Sequence, residues 1–173
     1  TSIDAMTAKL VGMSFAVEGD RAWYVAVPRE TTSAQRMVEI FRPIFENEEI
    51  LKVGQNLKYD LTVLASYGIE LRAPMFDTML AHYVVQPELR HNMDYLAEIY
   101  LNYQTIHIEE LIGPKGRNQK NMGDLSPAAI CDYACEDAHV TLQLKKPLEE
   151  EMEKNGVRRV FDEIEMPLMP VLA

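Results

Sequence analysis

Ile50-Leu51-Lys52-Val53-Gly54-Gln55-Asn56-Leu57-Lys58-Tyr59-Asp60 is the stretch that decides the fold, because a short apolar run passes directly into a helical pattern. Residues 50–54 predict a buried strand. Gln55-Asn56 opens a helix through Tyr67, closed by Gly68 as a C-terminal cap. The extended Ile69-Glu70-Leu71 follows, so the unit reads as β-α-β. Within the helix Leu57, Leu61 and Leu64 make an apolar stripe, and Asp60 falls on the same side.

Upstream, residues 10–17 and 22–27 are short, apolar and rich in β-formers, with Glu18-Gly19-Asp20 between them. They predict a hairpin, in which Trp23 is expected in the core. Residues 33–45 predict an amphipathic helix with Met37, Ile40, Phe41, Ile44 and Phe45 inward, kinked or ended early by Pro43. Downstream, Phe76-Asp77-Thr78 begins another helix with Asp77 as its N-cap, and Asn92 caps one running to about Leu101. Gly113 to Lys120 is a polar, basic loop, for which steering of single-stranded DNA and plain solvation weigh evenly. Ser126 and Pro127 start a helix to about Lys145, and after Gly156 the chain turns helical again through Phe161, Ile164 and Leu168. Strands first and helices wrapped around them indicate a mixed α/β sheet in a single domain over residues 1–173.

At 173 residues and 47% hydrophobic, the chain can bury one good-sized core. No apolar run approaches the roughly 20 residues of a membrane span. A net charge of −10 argues against broad adhesion to DNA, RNA or anionic lipid, which draws its affinity from Lys and Arg. It is compatible with a narrow site where bound divalent metals supply the positive charge. Cys131 and Cys135 lie one turn apart and are expected to be reduced and buried in a cytoplasmic protein; with His139 they form a Cys-x3-Cys-x3-His row that lacks a fourth ligand.

On the helix from Ser126, Ile130, Tyr133, Ala134, Asp137, Thr141 and Leu144 fall along one stripe. Asp137 thus points where a core-facing Leu is expected, and burying it unpaired would cost several kcal/mol. Asp60 and Asp137 are therefore two inward carboxylates on two helices. Hard oxygen ligands suit Mg²⁺ or Mn²⁺, and a pair of such ions about 4 Å apart can drive phosphodiester hydrolysis. Tyr133 would stand beside them and orient an attacking water, being too weak an acid, with an ordinary pKa near 10, to serve as its base. From spacing alone, the plainer account is that both acids cap or pair with backbone and basic groups and that Tyr133 packs at an interface.

Two words of the sequence shift that balance. Residues 54–60, Gly-Gln-Asn-Leu-Lys-Tyr-Asp, and Tyr133-x3-Asp137 resemble the second and third exonuclease motifs of bacterial DNA polymerase I. The chain is similar, from about Leu10 to Ala173, to the 3′ to 5′ proofreading domain of that family, in its tyrosine subclass; Phe76-Asp77-Thr78-Met79-Leu80, the 115–119 loop and Ile164-Glu165-Met166-Pro167-Leu168 extend the likeness. The resemblance implies a ribonuclease H-like fold, a mixed sheet flanked by helices. It implies removal of the 3′-terminal nucleotide of single-stranded DNA with two Mg²⁺ or Mn²⁺ ions. Asp60 and Asp137 become metal ligands, Tyr133 the water-orienting group, and Gln55, Asn56 and Tyr59 contacts to the terminal nucleotides. Ile3 and Ile108 become candidate wedges against the last bases, and Arg90 a contact near the phosphates, for which a surface ion pair is an equal account. A linked polymerase domain, with residues 157–173 as the start of the junction, a monomeric state and the bacterial cytoplasm complete the implied setting.

The departure is the family's first motif, an Asp-x-Glu pair on the opening strand, which belongs immediately before Thr1. Asp4, Asp77 and Asp94 do not replace it; Asp77 reads as a cap and Asp94 as a first-turn acid. The expectation is a fragment lacking its first strand and nearly inactive. A non-catalytic scaffold is the alternative, and an RNA-trimming exonuclease of the same fold is disfavoured by the residues 164–168 junction.

Overall fold

The computed structural model describes residues 5–18 and 20–173. β1 (Gly12–Val17) and β2 (Arg21–Ala26) form the expected antiparallel hairpin, with Phe15 opposite Trp23. Trp23 is not core: it is 47% exposed, with the Arg21 guanidinium 5.9 Å from its ring. Arg21 and Trp23 share the face of Val17 and Phe15 but lie at its turn end, where Val17 is exposed too, while Ala22 and Tyr24 lie on the other face.

α1 (Thr31–Phe45) starts at Glu30, whose carboxylate accepts the backbone N–H groups of Thr32 and Ser33 at 2.8 and 2.7 Å. It runs through Pro43 instead of ending early, because Pro43 sits in the last turn and removes a single ladder bond there. Its inward seam is Ala34, Val38, Phe41 and Phe45, and Phe15 stacks on Phe41 with ring centroids 5.1 Å apart. Ile40 and Ile44, expected inward, are exposed, since they lie about 100° around the helix from that seam.

β3 (Lys52–Gly54) is shorter than the sequence predicts, and Ile50 and Leu51 are exposed because pairing begins only at Lys52. α2 (Leu57–Ala65) follows, and Gly68 adopts φ 72°, in the left-handed region that glycine tolerates. The second strand of the β-α-β unit is β4 (Met75–Asp77), parallel to β3, and not residues 69–71; Ile69 and Leu71 are buried without joining a ladder. Phe76 and Asp77 are thus strand residues, and α3 (Thr78–Val85) begins directly after them. The hairpin and the parallel pair are separate two-stranded sheets.

α4 (Met93–Leu96) continues as a π-helical turn over Ala97–Leu101, with Asn92 at the N-cap position but without a side-chain bond. α5 (Ile108–Ile112) and a 3₁₀ turn (Met122–Asp124) lead to α6 (Pro127–Asn155). α6 is ten residues longer than predicted. Pro147 does not break it because Leu144, Leu148 and Met152, on either side, are fully buried and hold both halves against the core. α7 (Arg158–Val160), a π turn (Phe161–Glu165) and α8 (Met166–Leu172) close the described chain; Phe161 is buried, whereas Ile164 and Leu168 are exposed.

Two apolar clusters result. One joins α1, α2 and the hairpin through Met13, Val38, Leu57 and Leu64; the other joins β4, α3, α4 and α6 through Phe76, Leu96, Leu144 and Phe161. Each fully buried Leu or Phe contributes about 1.5–3 kcal/mol. Leu80 and Met166 pack against both clusters. α6 touches β1, β2 and β3, so its N-terminal half spans both strand pairs. No helix among the described residues is long and apolar enough to cross a membrane.

Candidate active site

The start of α2 is held by Asp77. Its carboxylate is 1% exposed and accepts four backbone N–H groups: Asn56 at 3.2 Å, Leu57 at 2.7 Å, Met79 at 2.8 Å and Leu80 at 3.2 Å. One side chain therefore caps α2 and α3 together. Asn56 enters α2 in the left-handed region at φ 63°, which Asn tolerates.

One turn into α2, Asp60 lines a cavity of about 370 Å³ together with Tyr59, Tyr24, Tyr133 and Asp137. Asp60, expected inward beside Leu57, Leu61 and Leu64, is instead exposed, because its side chain opens on the cavity and not on the apolar seam. Desolvation, and then the neighbouring Asp77 charge, push its carboxyl up to about 7. Asp137 is half-buried and also raised to about 7, chiefly by desolvation, with Glu136 and Asp94 adding repulsion and a hydrogen bond from Tyr133 acting against it. Burial and the Asp137 charge move the Tyr133 hydroxyl well above its ordinary value, so it donates and does not act as a base.

No ion pair to Asp60 or Asp137 forms among the described residues, although Lys9 lines the same cavity. Two desolvated carboxylates with hard oxygens, opening on one cavity, fit a divalent cation such as Mg²⁺ or Mn²⁺. Among the described residues no group of three or more His, Cys, Asp or Glu comes together to hold a metal. The described residues thus bring two carboxylates to the cavity.

Residues 1–153 match the family described as 3′-5′ exonuclease. The chain belongs to the 3′-5′ exonuclease family. It is 43% identical to the DNA polymerase I of Pseudomonas aeruginosa over 184 residues, which cover 100% of this chain and 20% of that protein. Against the DNA polymerase I of Rhizobium leguminosarum identity is 34%, over 100% of this chain and 19% of that protein. The chain spans about a fifth of the length of these curated relatives. Among solved structures, Brucella melitensis NrnC matches with a TM-score of 0.77 at 19% identity, over 99% of this chain and 78% of its own. The POL domain of Pol1 from M. smegmatis, in complex with DNA primer-template and dNTP, matches with a TM-score of 0.64 at 21% identity, over 90% of this chain and 23% of its own. Those two likenesses show the shared fold, a mixed α/β arrangement of small sheets flanked by helices.

Within this exonuclease chain, the other residues singled out from the sequence divide. Tyr59 joins the cavity wall. Gln55 stands just outside it, where its amide donates to the His91 carbonyl at 2.7 Å and its oxygen accepts the Thr78 hydroxyl. Asn56 serves the turn into α2. Ile108 opens α5 and is partly exposed, and Arg90 is exposed without an ion pair among the described residues. Ile3 lies outside the described residues. The thiols of Cys131 and Cys135 are 4.0 Å apart and half-buried, and His139 turns instead to Asp20 at 3.3 Å and Gln143 at 3.2 Å. The basic loop is tied at its end by the Lys120 N–H to the Ile112 carbonyl at 2.9 Å.

Asp94 and Glu136 were not legible as more than ordinary helix acids, yet both act electrostatically on Asp137. Glu136 carries a local signal in being the neighbour of Asp137. Asp94 carries none, because it reaches Asp137 only through the packing of α4 on α6.

Proposed function

We propose that this chain is the proofreading exonuclease domain of a bacterial DNA polymerase I, acting on the 3′ end of single-stranded DNA in the cytoplasm as part of a monomeric enzyme. The observation that supports it is the meeting of Asp60, Asp137 and Tyr133 on one cavity from two helices that are separate in sequence. The reaction adds water across the bond between the last phosphorus and the preceding O3′. It releases a deoxynucleoside 5′-monophosphate and leaves a new 3′-hydroxyl.

Asp60 and Asp137 would hold the divalent ions. Mg²⁺ or Mn²⁺, when bound, supplies the charge that neutralises the phosphate and lowers the pKa of water. Tyr133 donates its hydroxyl proton in a hydrogen bond to Asp137 and orients the incoming water through its oxygen. Gln55, Asn56 and Tyr59 hold the terminal nucleotides, Ile3 and Ile108 press against the last bases, and Arg90 lies by the phosphate. Since the described residues bring two carboxylates to the cavity, the 173 residues alone are expected to turn over slowly, and further acidic ligands complete the site.

The test is trimming of 5′-labelled single-stranded DNA in Mg²⁺ by the gene product that carries this sequence, with RNA ends run alongside. Stepwise release of mononucleotides, lost in Asp137→Ala and in Asp60→Ala, is the expected result. Trimming at the wild-type rate in either variant excludes the assignment. No trimming by the parent protein favours a scaffold, and faster trimming of RNA ends favours an RNA exonuclease.

A further inference from the structure

The chain between the π-helical turn and α5 has no regular structure, yet two carboxylates hold it at four points. Glu136 accepts the Tyr103 hydroxyl on Oε1 at 2.6 Å and the Ile106 backbone N–H on Oε2 at 2.7 Å. Asp94 accepts the Thr105 hydroxyl on Oδ1 at 2.8 Å, and its Oδ2 lies 3.3 Å from His107 Nδ1. Thr105 is buried and Ile106 half-buried, with exposed residues on either side of the two, so the segment is drawn in at its middle. Bonds to ionised acceptors are the strong ones, and here they serve a stretch that has no ladder of its own.

The two carboxylates stand on different helices. Glu136 is on α6, directly before Asp137, and Asp94 is in the first turn of α4. The segment ends at Ile108, the first residue of α5, whose next residue, Glu109, is near enough to act on the Tyr133 hydroxyl. Position along α6 is therefore passed, through Glu136 and Ile106, to the residue proposed to meet the terminal base.

We infer that Glu136 and Asp94 are positioning residues that clamp the 103–107 segment and so set Ile108 and α5 at a fixed distance from Tyr133 and Asp137, making them determinants of how the 3′-terminal nucleotide is seated. The inference rests on the reading of Tyr133 and Asp137 as the place of hydrolysis. Its specific content is that clamp strength governs capture of the strand end more than the chemical step, because neither carboxylate touches the scissile bond.

The experiment uses the gene product that carries this sequence and measures two things on the same variants. Amide hydrogen exchange at residues 103–107, without metal or DNA, reports the clamp, and steady-state trimming of single-stranded DNA in Mg²⁺ reports its consequence. Glu136→Ala is expected to speed exchange at Ile106 and to raise KM about three- to tenfold, with kcat changed by less than about twofold. Glu136→Gln keeps an acceptor for the Ile106 N–H and is expected between wild type and Glu136→Ala, which a bulk structural role would not produce. Exchange unchanged in Glu136→Ala overturns the clamp. Faster exchange with KM unmoved overturns the link to strand seating while leaving the exonuclease assignment intact. Wild-type protein that does not trim DNA overturns the assignment and this role with it, whatever the exchange shows.

Discussion

The Asp77 carboxylate accepts the backbone N–H of Leu57 at 2.7 Å, which ties the end of β4 to the first turn of α2. Asp60 lies one turn further along α2, so its place on the cavity wall depends on a residue 17 positions later in the chain. Asp77→Ala leaves four backbone donors without their acceptor, and a single lost cap typically costs about 1 kcal/mol. With two helices uncapped, a loss of about 2–4 kcal/mol in urea unfolding is expected. A loss below about 1 kcal/mol would show that water satisfies those donors.

Asp60 and Asp137 both titrate near 7 in the folded chain, from an ordinary 3.8. Between those values the folded chain binds more protons than the unfolded one, so these two groups lower stability as pH rises through that window. Asp60→Asn and Asp137→Asn are therefore expected to be more stable than wild type at pH 8 and to lose that advantage near pH 4. Millimolar Mg²⁺ at pH 8 should raise the melting temperature of wild type and not that of the double variant. Thermal scans at the two pH values decide it, and equal melting temperatures throughout would argue that the carboxylates are not desolvated.

Tyr133 donates to Asp137 and thereby holds the Asp137 carboxyl below where burial alone would put it. Tyr133→Phe removes that bond, and the acid limb of the pH–rate profile should move to higher pH while kcat falls about ten- to hundredfold. A fall in kcat with an unmoved acid limb would assign Tyr133 to water orientation alone.

His82 is fully buried, its Nδ1 2.7 Å from His91 Nδ1 and its Nε2 without a partner among the described residues. Burial, reinforced by His91, lowers its pKa to about 4. Its folded pKa is depressed, so the neutral ring contributes stability above the ordinary value of 6.5, and that contribution is lost as pH falls toward about 4. The effect is on the order of 2 kcal/mol and opposes that of the two aspartates. His82→Leu should therefore flatten the loss of stability between pH 6.5 and 4, read by urea unfolding at each pH. A variant as acid-sensitive as wild type would place the sensitivity elsewhere.

How far the site could be read in advance differs from residue to residue. Asp137 was visible because helix periodicity is local: a carboxylate on an apolar stripe stands out within a few turns. Asp77 as a cap was visible for the same reason, since Met79 and Leu80 lie within three residues of it. That it also caps α2 was invisible, because Leu57 is 20 residues away and is reached only through the pairing of β3 with β4. The three-residue β4 carried too little pattern to be told from a helix start, and the run of α6 past Lys145 depends on the burial of Leu148 and Met152 against residues distant in the chain.

The sequence by itself determined the α/β class, the hairpin, the starts of several helices and the place of Asp137 on an apolar stripe, because capping, turn chemistry and periodicity act within a few residues. Only the tertiary structure decided that Asp60 and Asp137 face one cavity, and that Glu136 and Asp94 hold the segment beside it. Those relationships join residues 11 to 77 positions apart, and only packing between helices and strands makes such residues neighbours.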